Sequence, residues 1–202
     1  MSVVHIIDTL TEWARLNVCE KVKLKVPPQN EDANDAGYSY EEANPTAFAM
    51  YVPTEEKLPP NIHSAFPSLC VRFLTGEEDL SAGSGHVDVQ FALSAWDPGL
   101  HGQDVFIPKG VNAFTRQGPE FTEYQRNIDG WRDVWNFADT ALRAVESVTH
   151  INGYAIDRST PVQYGPFTER DPMEDYPFWF AWISFRVTYP LMRNINDLHQ
   201  YL

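Results

Sequence analysis

Apolar and polar residues alternate most clearly in segment 178–189, which reads FWFAWISFRVTY. Successive side chains of a β-strand point to opposite faces of a sheet. One face of this segment is then apolar throughout, whereas the other is apolar at Phe178, Phe180 and Trp182 and polar from Ser184 onward. The pattern predicts a strand well inside a sheet. The three aromatic side chains on its second face then need to be covered by a helix, a loop or another subunit.

Shorter stretches with related patterns predict the remaining strands. Acidic, glycine-containing residues 76–85 separate two of them, which favours an antiparallel hairpin with a turn over that region. In the strand predicted over 22–26, Lys23 and Lys25 are expected at a sheet edge or on a solvent face. Asn152-Gly153 is a turn signal just before the last one. The predicted strands cover residues 22–26, 47–52, 69–74, 86–96 and 155–165.

Two segments have the 3.6-residue spacing of amphipathic helices. The first covers residues 3–17, with Ser2 as its expected N-cap. The second covers residues 129–148, with Asp129 as its expected N-cap, and should pack on the fully apolar face of segment 178–189. Its predicted apolar stripe consists of Trp131, Val134, Trp135, Ala138, Ala141, Leu142, Val145 and Val148.

Together these elements predict an α+β fold. We expect a mostly antiparallel sheet of about four to six strands, with an N-terminal helix and one long helix packed on it. The length suits a single domain over residues 1–202, with long loops at 27–46 and 97–128. The second loop contains aromatic residues, so it is expected to fold against the domain or a neighbour. These residues are Phe114, Phe121 and Tyr124.

The chain is acidic, with a formal net charge of −13. An acidic surface repels phosphate, so sequence-specific nucleic-acid binding is not expected. Many acids fall in predicted loops, among them Glu77, Glu78 and Asp79. They are interpreted either as ordinary solubilising residues or as an acidic surface past which DNA slides without binding. No apolar window of about 18 residues and no signal-peptide pattern occur, so a cytoplasmic product is expected.

Candidate chemistry is sparse along the chain. His86 and Asp88 share a strand face, and His101 lies in a predicted loop, but the sequence identifies no third metal ligand. Cys19 and Cys70 lie among apolar residues and are expected to be buried thiols. No catalytic site, cofactor or metal is therefore expected. A metal-assisted hydrolase that uses His86, Asp88 or His101 remains the alternative from a different functional class.

Several stretches, in their order along the chain, resemble the tail-terminator (tail-completion) proteins of long-tailed phages, as found in prophages of Gram-positive bacteria. The resemblance lies in a strand that runs into WDPG, a long helix that opens with GWRD, and a closing hairpin rich in Trp and Phe. The stretches are YEEANPTAFAMYVP, PSLCVRF, HVDVQFALSAWDPGLHG, DGWRDVWNFADTALRAVE, YGPFTERD and YPFWFAWISFRVTY.

The resemblance implies a structural protein of the virion tail or neck, assembled in the host cytoplasm. Such subunits form a ring, expected to be a hexamer, that caps the tail tube and ends its polymerisation. The ring also presents a surface to the head–tail connector, and DNA passes through its centre as non-specific cargo. The family has no active site, and no membrane is involved. Another neck or head-completion protein with a related fold remains the alternative within this class.

A ring needs apolar surface beyond that used by one core. The aromatic residues left without a predicted partner are the candidate subunit interface: Phe178, Phe180, Trp182, Phe114, Phe121 and Tyr124. An equally weighted interpretation is that the first three cover the far side of the sheet under the N-terminal helix. The acids Glu77, Glu78 and Asp79 are the candidate acidic lumen or partner loop.

Overall fold

The computed structural model describes residues 2–27, 41–62, 64–97, 130–167 and 177–191. Within these ranges the chain forms two helices and nine strands. The helices are α1 (Val3–Asn17) and α2 (Trp131–Ser147). The strands are β1 (Leu24–Lys25), β2 (Glu42–Ala43), β3 (Thr46–Ala49), β4 (Ser68–Asp79), β5 (Ser84–Trp96), β6 (His150–Ile151), β7 (Tyr154–Ile156), β8 (Gln163–Pro166) and β9 (Phe178–Pro190).

The main sheet of the described residues has seven strands in the order β3-β4-β5-β9-β7-β6, with β8 beside β9. Every neighbouring pair is antiparallel except β3 and β4. The predicted α+β fold with a mostly antiparallel sheet is confirmed. The sheet exceeds four to six strands because 155–165, predicted as one strand, supplies both β7 and β8, and because β6 was not predicted. Strands β7 and β8 pair with different parts of β9. The strand predicted over 22–26 is not part of this sheet, since β1 pairs with β2 in a separate two-stranded sheet.

The centre of the sheet is the long pair β5 and β9. They pair along their whole length, from Ser84 opposite Pro190 to Trp96 opposite Phe178. The predicted hairpin of β4 and β5 is confirmed, and its turn lies within the predicted region 76–85 but is shorter, covering only residues 80–83. Residues 76–79 continue β4 because their backbone groups stay paired with β5, as far as Asp79 opposite Ser84.

Both helices pack on one face of the sheet. Residues at alternate positions on that face, such as Phe91 of β5 and Ile183 of β9, share a buried cluster with side chains from α1 and α2. The ring of Trp13 in α1 lies 6.4 Å from that of Phe91. The N-terminal helix therefore does not cover the far face of the sheet, as one interpretation of the sequence required. Ser2 occupies the N-cap position of α1, with no side-chain capping hydrogen bond.

The apolar stripe of α2 differs from its prediction at both margins. Phe137 was not in the predicted stripe, yet it is fully buried, whereas Trp131 is 37% exposed. The buried side chains are Val134, Phe137, Ala138, Ala141 and Val145. This stripe has the same helical spacing as the predicted one but is rotated toward Phe137. Asp129, the expected N-cap, lies outside the described residues, and Gly130 occupies the N-cap position.

Lys25 is also placed differently from its prediction. It was expected at a sheet edge or on a solvent face, but its side chain is buried. Its Nζ lies 2.7 Å from Asp97 Oδ2 and 3.6 Å from Asp133 Oδ2, so two carboxylates replace the water that the ammonium loses.

The predicted loops and turns have mixed outcomes. The 27–46 loop contains β2 and the first residue of β3, and its residues 28–40 lie outside the described part. Of the 97–128 loop, only Asp97 is described. The predicted turn at Asn152 and Gly153 is confirmed, with φ values of 46° and 93°.

Candidate assembly surface

The far face of the sheet, opposite the helices, is divided into an aromatic half and a polar half. Phe178, Phe180 and Trp182 of β9 form the aromatic half, and all three are partly exposed. Strands β3 and β4 are parallel neighbours, so a crossover connection joins them. Phe66 in that connection places its ring 4.8 Å from Phe178 and 6.2 Å from Phe180. One aromatic side chain thus covers part of the surface.

Trp182 lies across the neighbouring strand β8. Its partner in register is Gly165, where a Cβ would come within 3.2 Å of the indole ring. The indole Nε1 donates a hydrogen bond to the Pro166 carbonyl at 3.1 Å. The missing side chain at Gly165 lets the ring lie close to the backbone. Trp182 is thereby oriented by contacts within the chain while part of its surface stays accessible.

A groove of about 170 Å³ adjoins the aromatic half at the start of β9. Sequence reasoning missed the contribution of α2, because it assigned Trp131 to the core. Arg132 stacks over the Trp131 ring, with its guanidinium carbon 5.3 Å from the ring centroid. The groove is lined by Trp131, Val134, Trp135, Pro166, Phe167, Phe178, Trp179 and Phe180. No periodic pattern in the sequence marks Trp131 and Phe167 as neighbours of β9.

The other predicted interface residues, Phe114, Phe121 and Tyr124, lie outside the described ranges.

The polar half contains an ion pair between β5 and β9. Arg186 donates two hydrogen bonds to Asp88, at 2.7 and 3.0 Å. These bonds hold the pKa of Asp88 below its ordinary value. The carboxylate proposed as a ligand with His86 therefore already has a cationic partner. Among the described residues no group of three His, Cys, Asp or Glu side chains could hold a metal ion, and His101 lies outside them.

The acids Glu77, Glu78 and Asp79 lie on the last residues of β4, where a loop was expected. Asp79 accepts hydrogen bonds from the Ser81 and Ala82 backbone, so it organises the tight turn into β5. Glu78 accepts a hydrogen bond of 3.4 Å from Tyr189. The aromatic half lies at the other end of the sheet. Strand β5 has 13 residues, so at about 3.3 Å per residue roughly 40 Å separates the two ends.

Cys19 and Cys70 are buried free thiols, as predicted. Burial raises the pKa of Cys19 to about 12 and that of Cys70 to about 11. Both thiols therefore stay protonated at neutral pH. A protonated, buried thiol is a poor nucleophile and a poor metal ligand.

The carboxylate of Asp157, which follows β7, is expected to stabilise the fold at neutral pH but not in acid. Its carboxylate accepts hydrogen bonds from Ser159 and Thr160, which lower its pKa from 3.8 to about 2. A lowered folded-state pKa stabilises the fold above the unfolded-state value, and this contribution disappears as pH falls through the folded-state value. Asp157→Asn is therefore expected to reduce the stability lost between pH 3.8 and about 2. Urea denaturation at several pH values measures this.

The control for this prediction is Ser159→Ala, which keeps the carboxylate but removes a hydroxyl donor. The pKa of Asp157, followed by NMR of its carboxyl carbon, should rise toward its ordinary value. An unchanged pKa in that variant would contradict the assigned cause.

The described residues define the class of protein only by its fold: an α+β protein whose mostly antiparallel sheet carries a partly exposed aromatic surface at one end and three acids at the other. No protein-family model matches the chain, and a search of curated proteins finds no significant relative. Within the described ranges, neither helix is long and apolar enough to cross a membrane.

Proposed function

We propose that this protein is a structural subunit of a phage tail, a tail terminator that forms a ring on the end of the tail tube. The observation that carries the proposal is the aromatic half of the far face, where Phe178, Phe180 and Trp182 are only partly covered. Soluble monomers rarely expose contiguous apolar patches larger than a few hundred Å², and patches above that size are typical of contacts with other proteins. The order of the sequence stretches that resemble tail terminators supports the same class.

A ring subunit meets two neighbours through different surfaces, because a head-to-tail ring uses heterologous contacts. The aromatic half of the far face and the groove beside it form the proposed subunit interface. The acids of β4 lie at the opposite end of the sheet, away from that interface. Together with the net charge of −13, they suit a surface near passing DNA that must not bind it. The further partners are the tail tube protein and the head–tail connector.

The decisive test is electron microscopy of particles assembled without this protein. Loss of a terminator leaves tube polymerisation unchecked, so overlong tails without heads are expected. Tails of normal length that fail to join heads would overturn the terminator assignment and support the alternative, a neck or head-completion protein. The complemented particle is the control and should restore both tail length and attachment.

Trp182→Asp tests the proposed interface directly. A charge in a desolvated interface is expected to abolish the ring, and aromatic anchors typically contribute about 2 kcal/mol or more, roughly 30-fold in affinity. Light scattering, with and without tail tube protein, measures assembly, and thermal melting measures the fold.

Tyr164→Asp is the matched control for this variant. Tyr164 is 58% exposed and pairs in register with Ile183, whose side chain points to the helix face. Rings should therefore form normally in Tyr164→Asp. Equal assembly by both variants would contradict the interface. If Trp182→Asp fails to fold, Trp182→His provides the milder change, and a folded, fully assembling Trp182→His would contradict the interface equally.

A further inference from the structure

Strand β4 has a neighbour on both sides only at its beginning. Strand β3 lies beside residues 68–71, and all of these residues are buried. From Arg72 to Asp79 the strand still pairs with β5, but none of the described residues pairs with its other side. Burial changes at the same point, because every residue of 72–79 is exposed except Phe73, which is half-buried. The sheet therefore has an open strand position beside 72–79.

The chain turns away from this position at the end of β3. The Met50 N–H donates to the Val71 carbonyl at 2.8 Å, in line with β3. Met50 has a φ of 68°, and the Tyr51 N–H donates back to the Ala49 carbonyl at 2.8 Å, so the chain makes a tight turn. Backbone groups of alternate strand residues point to the same side. Since the Val71 carbonyl faces β3, the N–H and carbonyl of Phe73 face the open position.

An apolar groove adjoins the open position on the helix face of the sheet. It has a volume of about 250 Å³ and lies between the first turns of α1, the end of β3 and Phe73. Two of its lining side chains are well exposed, Val4 at 68% and Met50 at 47%. Alternate side chains of an added strand would point to this face of the sheet. The groove is therefore placed to receive apolar side chains from such a strand.

Charge changes along the open edge. The end near the groove is apolar, whereas Glu77, Glu78 and Asp79 occupy the other end and are exposed. A second copy of the chain carries the same acids and a net charge of −13, so like charges oppose its approach. The edge instead complements a segment with apolar residues near Phe73 and lysine or arginine residues near the three acids.

Two features of β4 restrict which strands can pair with it. The register shifts between Phe73 and Thr75, and such a bulge bends the strand. Bulges and charged residues also protect sheet edges from unwanted pairing. Neither feature covers the groove, so they select among partners instead of closing the edge.

We propose that residues 72–79 of β4 and the adjoining groove bind an extended segment of a partner protein, which adds a strand to the main sheet in line with β3. The segment has alternating apolar residues at one end and basic residues at the other. In this mode of recognition, backbone hydrogen bonds give affinity and side-chain pockets give specificity. The surface is separate from the aromatic half of the far face. It goes beyond the proposed ring and does not depend on it.

The test uses the intact protein and a set of labelled synthetic peptides of roughly eight residues, the length of the open edge. Each peptide alternates threonine with valine, isoleucine or phenylalanine in one half and with lysine in the other, and both orders of the halves are included. Fluorescence anisotropy should show saturable binding of at least one peptide. In that complex the Phe73 amide proton should exchange more slowly with solvent. Absence of binding across the whole set would overturn the proposal.

A backbone-methylated version of the binding peptide is the first control. Methyl groups on alternate backbone nitrogens remove the N–H donors that face β4 but keep every side chain. Affinity should fall by roughly tenfold or more, because several hydrogen bonds are lost together. An unchanged affinity would mean that no strand is added to the sheet.

Val4→Asp tests the groove. The substitution places a charge among apolar side chains, so peptide affinity should fall by roughly tenfold or more. An acidic residue in the first turn of a helix is favourable, so thermal melting should show a retained fold. Tyr164→Asp on β8, where Tyr164 is 58% exposed, is the matched control and should bind the peptide normally. Equal affinity of the two variants would contradict the role of the groove.

The double variant Glu77→Lys with Glu78→Lys tests the charge of the partner. It should bind the lysine peptide several-fold more weakly and prefer a matched peptide with glutamate in place of lysine. An unchanged preference would contradict the stated chemistry. Light scattering of the protein alone tests the other occupant, because a change of oligomeric state in Val4→Asp would assign the groove to a second copy. Peptide binding needs no tail particles, so its failure is distinct from failure of the proposed function.

Discussion

Phe137→Ala is expected to lower the free energy of unfolding by about 3–5 kcal/mol, the range for removing a fully buried phenylalanine. Phe137 has no exposed surface and lies in the cluster where α2 meets the sheet. Its removal leaves a cavity that the surrounding side chains fill only in part, so lost burial and lost contacts add together. Urea denaturation followed by tryptophan fluorescence measures the change, and an unchanged m-value would show that the unfolded state is unaffected.

Trp131→Ala is the matched variant on the same helix. Trp131 is larger than Phe137 but 37% exposed, and the Arg132 guanidinium lies over its ring. The expected cost is about 1–2 kcal/mol, from partial burial and the cation–π contact. A larger loss for Trp131→Ala than for Phe137→Ala would contradict the described orientation of α2. It would instead restore the stripe predicted from the sequence.

Asp97→Ala is expected to lower the free energy of unfolding by about 3–5 kcal/mol, because it leaves the buried Lys25 ammonium without its closest carboxylate. Asp133 is 3.6 Å from that ammonium and compensates only in part. Removing one partner of a buried ion pair costs more than the pair itself contributes. The double variant Lys25→Met with Asp97→Leu should therefore recover most of the loss. Urea denaturation of both variants measures this difference.

Glu12→Ala is the exposed comparison for this ion pair. Glu12 and Arg15 approach within 2.7 Å in α1, but both side chains are largely in solvent, so its removal should leave stability almost unchanged. Salt should weaken the exposed pair and have little effect on the buried one, because ions screen only charges they can approach. If the double variant Lys25→Met with Asp97→Leu is as unstable as Asp97→Ala alone, Asp97 stabilises the fold through its other contacts instead of through Lys25.

The sequence predicted the elements whose patterns are local. Residues 3–17 form a helix with the expected bounds, and the alternation in 178–189 predicted β9 and which of its faces is buried. A repeat of 2.0 or 3.6 residues is enough to identify such an element and its apolar side. The same argument predicted the hairpin of β4 and β5. The aromatic half of the far face was found in this way.

Only the tertiary structure decided where an element lies and what each face meets. Both helices cover one face of the sheet, and α2 is rotated so that Phe137 is buried and Trp131 joins the groove beside β9. Several rotations of an apolar helix satisfy the same pattern, and packing against the sheet selects one of them. Segment 155–165 likewise divides into two strands because separate parts of β9 pair with it.

The placement of charged side chains shows most clearly what a local sequence pattern cannot predict. Alternation placed Lys25 at a sheet edge or on a solvent face, yet it is buried between carboxylates from Asp97 and Asp133. These partners come from segments far apart in the chain, and no local pattern records their distance. The sequence by itself determined the helices, the long strands and an aromatic surface in need of cover. The tertiary structure decided which charges could be buried and which aromatic residues remained exposed, because both depend on contacts between distant segments.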